Sequence, residues 1–208
     1  MSIAPVVDTL ERLCTLLRTE VRQRGLRHGL RPVQVEALLY LARCNRYSDT
    51  PIAVAEFLGS TKGTVSQTLK ILEREGLLTK GPDPDDGRVV RLELTPVGRA
   101  LSAELALPPA LEEALADDRE WTERLSVDLR RLLGGMQRAA GHKTFGTCHT
   151  CRFFRRESSG FRCGLTGEAL SESDSELICR EHKLGAAAEA PSGDSRPAEE
   201  GRLGSLDP

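Results

Sequence analysis

The feature that most constrains this chain is a pair of short helical segments followed at once by a hairpin pattern. Pro51 opens an apolar stretch, PIAVAEFLG, that Gly59 ends. Ser60 is then a good N-cap for a second segment, in which Val65, Leu69 and Leu72 form an apolar stripe and which Gly76 ends. Two short helices joined by so tight a turn are the shape of a helix-turn-helix. Directly after them, Leu77 to Lys80 can form a strand, GPDPDDG is a turn cluster, and Val89, Val90, Leu92 and Leu94 are β-prone and partly alternating. A helix pair carrying a β-hairpin with a charged tip is a winged helix-turn-helix.

The flanks are helical too. Val6, Val7, Leu10, Leu13, Leu17 and Val21 recur at helical spacing over residues 5–26, and a second helix begins near Pro32 and runs through Val35, Leu38, Leu39 and Leu41. Thr95 and Pro96 open TPVGRALSAELAL, which Pro108-Pro109 breaks or kinks. A last helix, from about Arg119 to Arg138, carries Trp121, Leu125, Leu129, Leu132, Leu133 and Met136 on one face. The expected fold is mainly α with a small β-hairpin wing over residues 1–141. A small metal-stabilised module over 142–184 follows, and then a disordered tail over 185–208, rich in small and charged residues.

The net charge is −2, so any nucleic-acid contact must come from a local basic patch. No apolar run reaches the length that spans a bilayer, and the N-terminus has acids among its apolar residues where a signal peptide is basic and then unbroken, so a cytoplasmic protein is expected. In a reducing compartment six cysteines point to metal or redox chemistry rather than disulfides. No Gly-rich phosphate loop, nucleophile motif or cofactor fingerprint suggests an enzyme.

A helix fits the major groove and meets base edges with its first turns. On the second helix of the pair, Thr61, Lys62, Thr64, Ser66, Gln67 and Lys70 all lie off the apolar stripe. Hydroxyls and lysines suit phosphates, and Gln67 suits an adenine edge. Arg88, just past the turn, suits a minor groove. The acids around it do not suit phosphate, and Asp86 is expected to brace the Arg88 guanidinium.

Residues from about 31 to 104 resemble the MarR family of bacterial regulators. The carrying segments are STKGTVSQTLKILEREGLL and DPDDGRVVRLELTPVGRAL, with a D-x-x-D-x-R wing pattern at Asp83, Asp86 and Arg88, then Leu94, Thr95 and Gly98. The flanking helices extend the likeness to roughly residues 5–140. The resemblance implies a homodimer held by the first, fifth and sixth helices. It would bind double-stranded DNA at a pseudo-palindromic operator with half-sites about one helical turn apart. It also implies small aromatic or phenolic effectors between the dimer helices and the reading heads.

Cys148, Cys151, Cys163 and Cys179 form C-x2-C-x11-C-x15-C in a segment with few apolar side chains, where metal binding would supply folding free energy. Four thiolates suit Zn2+ or a [4Fe-4S] cluster. The single close pair departs from the paired spacing of zinc ribbons, and the run resembles small cluster-binding domains, a slight lean to the cluster. The implied function is a regulator sensing redox state, oxygen, nitric oxide or iron; the alternative is a structural zinc module used for partner docking. His142, His149 and His182 are expected as polar neighbours of the centre, Phe153, Phe154 and Phe161 as a miniature core around it, and Cys14 and Cys44 as helical core residues.

Overall fold

The computed structural model of the chain describes residues 2–158 and 160–185. Past Gly185, the expected disordered tail lies outside the described residues. The first half is a winged helix-turn-helix: α1 (Ala4–Arg27), α2 (Pro32–Leu41), α3 (Pro51–Leu58), α4 (Lys62–Arg74), β1 (Leu78–Pro82) and β2 (Val90–Leu94). Then come α5 (Pro96–Ala106), α6 (Pro109–Ala116) and α7 (Arg119–Ala139). The last segment holds a 3-10 turn (Cys148–Thr150), β3 (Phe154–Glu157), β4 (Gly160–Cys163), β5 (Ala169–Leu170) and a short α8 (Glu172–Ser175).

One core unites the winged helix. Val35, Leu38 and Tyr40 of α2, Val54 of α3, Val65, Leu69 and Leu72 of α4, and Leu78, Leu92 and Leu94 of the hairpin are almost wholly buried together. The hairpin is a two-stranded antiparallel ladder, Leu78 facing Leu94 and Pro82 facing Val90. Its tie to α5 needs a glycine: a Cβ at Gly98 would stand 1.9 Å from the Leu77 carbonyl oxygen. Thr95 secures the same corner, its hydroxyl donating to the Gly76 carbonyl (2.7 Å) and accepting from the Gly98 N–H.

Several local expectations are corrected. The N-cap of α4 is Thr61, whose Oγ1 accepts from the Thr64 N–H, while Ser60 donates to the Leu58 carbonyl. Gly59, left-handed at φ 59°, ends α3 early enough to leave Ser60 in the turn. Pro108-Pro109 does more than kink a helix: Pro108 caps and Pro109 opens α6, a helix the sequence reading did not include. Cys14 lies on α1 but is exposed, and Cys44 lies beyond the end of α2, half-buried in a bridge to Ile178.

That bridge shows how the C-terminal segment is held. β3, β4 and β5 form a small antiparallel sheet with Phe154 against Phe161, ring centroids 5.0 Å apart. Its remaining apolar side chains do not make a separate core. Phe145 and Ile178 pack into the winged-helix core instead, Phe145 edge-on to Phe57 at 5.4 Å.

Apolar faces remain uncovered at both ends of the domain. Val6, Val7, Leu13 and Leu16 on α1, and Trp121, Leu129, Leu132 and Met136 on α7, are exposed in the single chain. Among the described residues, no helix is long and apolar enough to cross a membrane.

Candidate nucleic-acid interface and thiol centre

α4 divides cleanly into two faces. Val65, Thr68, Leu69 and Leu72 are buried, whereas Thr61, Lys62, Thr64, Ser66, Gln67 and Lys70 are all exposed. Lys62 and Lys70 have no ion-pair partner among the described residues, so both ammonium groups are free for phosphate. Thr61 is partly committed, because its hydroxyl caps the helix and lies 3.0 Å from that of Thr64. Gly63 meets no side chain that a Cβ would crowd; the nearest atom is the Thr61 hydroxyl at 3.9 Å. It keeps the first turn low.

At the wing tip Arg88 stands almost fully exposed and is gripped by Asp86. Its Nε donates to Oδ1 at 2.9 Å and its Nη2 to Oδ2 at 3.1 Å, and the Arg88 backbone N–H donates to the same carboxylate. The guanidinium holds the Asp86 carboxyl below its ordinary range, and the carboxylate in turn raises the arginine. A bidentate clasp fixes the fork's direction while leaving its other N–H groups outward.

A second clasp lies beneath; of its residues the sequence reading named Asp83, as part of the wing pattern, but neither Arg91 nor Asp49. Asp83 accepts the backbone N–H groups of Asp85 and Asp86 with one oxygen and Arg91 Nε with the other, at 2.5 Å. Arg91 also donates to Asp49 (2.8 Å) and to the Arg46 carbonyl (2.7 Å), and Leu92 N–H donates to the Asp49 carbonyl. The wing is therefore anchored to the 43–50 loop between α2 and α3. The hairpin register carried the signal: Gly81 faces Arg91, and Asp83 lies two residues further on the same strand face.

The same loop receives the cysteine segment from the other side. Ile178 N–H donates to the Arg43 carbonyl, Asn45 N–H donates to the Ile178 carbonyl, and Arg180 N–H donates to Ser48 Oγ. Asn45 Nδ2 points at Cys148 Sγ (3.8 Å), while its Oδ1 accepts from Ser48 Oγ and Tyr47 N–H. Arg180 reaches α3 and forms a two-pronged pair with Glu56 at 2.7 and 2.8 Å, which Lys143 joins at 2.8 Å. Those two cations hold the Glu56 carboxyl down to about 2, Arg180 contributing most.

The thiols themselves are unevenly placed. Cys148 is buried and faces Cys179; that neighbouring thiol, with burial, pushes the Cys148 thiol up, while the same neighbour pulls the Cys179 thiol down. Cys151 sits next to this pair in the C-x2-C turn and accepts from the Lys183 N–H at 3.4 Å. Cys163 is at the end of β4, opposite Phe154, with its backbone closing a turn to Glu168 and Gly167. Among the described residues, no three His, Cys, Asp or Glu side chains are gathered closely enough to hold a metal ion. The donor chemistry suits zinc or an iron–sulfur cluster, but the arrangement is a thiol pair with a third thiol nearby, not an assembled four-ligand cage.

The three histidines differ. His182 is buried, and both ring nitrogens are engaged by hydroxyls, Nδ1 with Thr144 at 2.5 Å and Nε2 with Thr150 at 2.9 Å. The ring also fills the space a Cβ at Gly146 would need. It is the keystone of the segment, with no nitrogen left for a metal. His149 meets Glu176 and the Ser175 carbonyl, and His142 is exposed.

Residues 28–89 match the MarR family model. Among curated proteins no relative matches the chain. Among solved structures, a transcriptional regulator of Thermotoga maritima is similar at 26% identity over 66% of this chain and 98% of its own, with a TM-score of 0.48. The MepR–DNA complex of Staphylococcus aureus is similar at 22% identity, 65% and 98% coverage and 0.48. CouR of Rhodococcus jostii bound to p-coumaroyl-CoA is similar at 20%, 60% and 87%, and 0.48.

Proposed function

We propose that this chain is a sequence-specific DNA-binding transcription regulator that acts as a homodimer. The observation that carries the reading is the continuity of one polar surface. The exposed face of α4, with unpaired Lys62 and Lys70, is followed directly by a hairpin whose tip presents Arg88 in a fixed, two-pronged clasp. Helix residues would enter the major groove and Arg88 the flanking minor groove. The match of residues 28–89 to the MarR family supports the same reading. The uncovered faces of α1 and α7 support the dimer, because each leaves a row of large apolar side chains in water.

Selection of binding duplexes from a random library with the full chain tests this. The expected outcome is enrichment of a pseudo-palindrome, bound with an affinity that falls steeply with salt. Recovery of no common sequence would remove the reading.

The finer part of the proposal is that Cys148, Cys151, Cys163 and Cys179 take up Zn2+ or a [4Fe-4S] cluster and that its state is sensed. Support comes from the thiol-rich donor set and from the N–H groups of Asn45 and Lys183 aimed at two of the sulfurs, as suits thiolate. Such a centre would supply folding free energy to a segment poor in apolar side chains. Among the described residues no three of these donors are gathered into one group, so Cys163, at the end of β4, and the other three would have to draw together on metal uptake. The interlocking of this segment with the 43–50 loop favours regulation over a separate docking module, because that loop also anchors the wing.

Anaerobic purification followed by a visible spectrum and iron, sulfide and zinc analysis decides the centre. About four irons per chain with a broad visible band makes it a cluster. About one zinc in a colourless protein makes it a zinc site, and neither metal leaves a thiol pair.

A further inference from the structure

The small sheet of the cysteine segment carries a second concentration of positive charge. Arg152, Arg155 and Arg156, on β3 and just before it, are all exposed. Among the described residues none of the three has a carboxylate partner. Four acids of the segment are taken elsewhere: Glu157 by Arg162, Glu168 by Arg46, Glu176 by His149 and Glu181 by Arg180. The other two, Glu172 and Asp174, lie on or beside α8, which packs against β5 at the opposite edge of the sheet.

The three guanidinium groups are held in place by their surroundings. That of Arg152 lies 4.7 Å from the centre of the Phe153 ring, and that of Arg156 lies 5.8 and 5.3 Å from those of Phe154 and Phe161. Arg155 crosses over Gly164, where a Cβ would come within 2.7 Å of its Nε. It also faces Arg162 directly across the β3–β4 ladder. Like charges in that position cost a sheet stability, and Glu157 offsets Arg162 alone. The β3 edge is short of negative charge, which phosphate would supply.

Its position relative to the wing favours DNA as the source of that phosphate. Glu168, in the turn before β5, pairs with Arg46, whose carbonyl accepts from Arg91 of the wing. One residue therefore links the sheet to the hairpin that carries Arg88, and β3 is the edge farther from that link. We propose that the β3 edge is a further DNA contact, in which Arg152, Arg155 and Arg156 take backbone phosphates of the duplex beyond the stretch read by α4 and Arg88. Such contacts position a protein without reading sequence. The proposal rests on the DNA-binding reading and adds to it a contact outside the half-site.

The test compares the full chain and R152Q/R155Q/R156Q on two duplexes. One is the selected pseudo-palindrome trimmed to the bases that α4 and the wing protect. The other adds about one helical turn of mixed-sequence duplex at each end. Fluorescence anisotropy over a salt series should show the parent binding the longer duplex at least about tenfold more tightly and with a steeper salt dependence. Each phosphate engaged adds about 0.9 to the slope of log affinity against log salt, so three on each head of a dimer add about 5. The glutamine variant should show neither gain, and R152K/R155K/R156K, which keeps the charge, should recover most of both. The parent's own gain with length needs no variant, so it tests the contact even if the glutamines loosen the sheet. Equal affinity of the parent for both duplexes overturns the proposal and leaves the DNA-binding reading intact. A gain that the glutamine variant keeps also overturns it; the arginines would then only guard the edge of the sheet against strand pairing. A parent that selects no duplex at all removes the DNA-binding reading, and this contact with it.

Discussion

Glu56 is the point at which the cysteine segment is latched to the helix-turn-helix, and its removal should be measurable. Glu56→Gln keeps the shape and one acceptor but deletes the charge facing Arg180 and Lys143. A carboxyl brought from 4.5 to about 2 corresponds at neutral pH to about 3 kcal/mol, at about 1.4 kcal/mol per tenfold in proton affinity. The side chain is 32% exposed and Lys143 more so, and screening by water reduces this to about 1–2 kcal/mol. The sign follows from linkage: a carboxyl depressed by folding gives its full contribution above about 4.5 and loses it as pH falls toward about 2. Denaturant unfolding of parent and E56Q at several pH values should show the variant less stable by that amount at pH 7, with the gap closing through this acid window. Trypsin should cut the variant sooner within residues 142–185, where Lys143 and Arg180 lie. No difference at pH 7, or a gap that persists undiminished below pH 3, would refute the latch.

Other outcomes follow from the geometry. Arg88→Ala should weaken the selected duplex by about 10- to 100-fold, as expected for a desolvated groove contact. Asp86→Asn should cost less, because it loosens the fork without removing it; fluorescence anisotropy measures both, and equal losses would mean the clasp rather than the guanidinium carries the contact. Gly98→Ala should destabilise by about 2–4 kcal/mol in chemical denaturation, since its Cβ would meet the Leu77 carbonyl at 1.9 Å and the α5–hairpin corner must open. The pair Leu132→Arg and Met136→Glu places charge on the exposed face of α7 and should shift sedimentation from dimer to monomer; a dimer that persists would place the interface elsewhere. His182 is held neutral by burial, its pKa below 6.5. Its contribution is complete above about pH 6.5 and is lost as pH falls through the folded value, so amide exchange around Thr144 and Thr150 should quicken below pH 6.

What the sequence disclosed and what it withheld divide by range. The Thr95 cap, the left-handed Gly59 and the Asp86–Arg88 clasp join residues within a few positions of one another, where cap and turn chemistry act directly. Even there the choice between Ser60 and Thr61 was not legible, because both are good caps and Gly59 decides how far the turn extends. Pro108-Pro109 gave a break, yet the same proline chemistry that ends one helix starts the next. Partners further apart left no such trace. Asp49 and Arg91 are 42 residues apart, and Glu56 and Arg180 are 124 apart. No periodicity joins them, since each is an ordinary surface charge until the loop at 43–50 brings the wing and the cysteine segment onto one scaffold. Cysteine spacing is weaker than cap chemistry for the same reason. Spacing states how far apart thiols lie along the chain, but pairing depends on where the loops fold: Cys148 and Cys179 meet across the segment, whereas Cys163, between them in sequence, is drawn off into the β3–β4–β5 sheet. The 43–50 loop is thus the physical link through which any change at the Cys148–Cys179 pair would reach Arg91 and the wing, and its Asn45 side chain touches both the thiol and the loop's own turn.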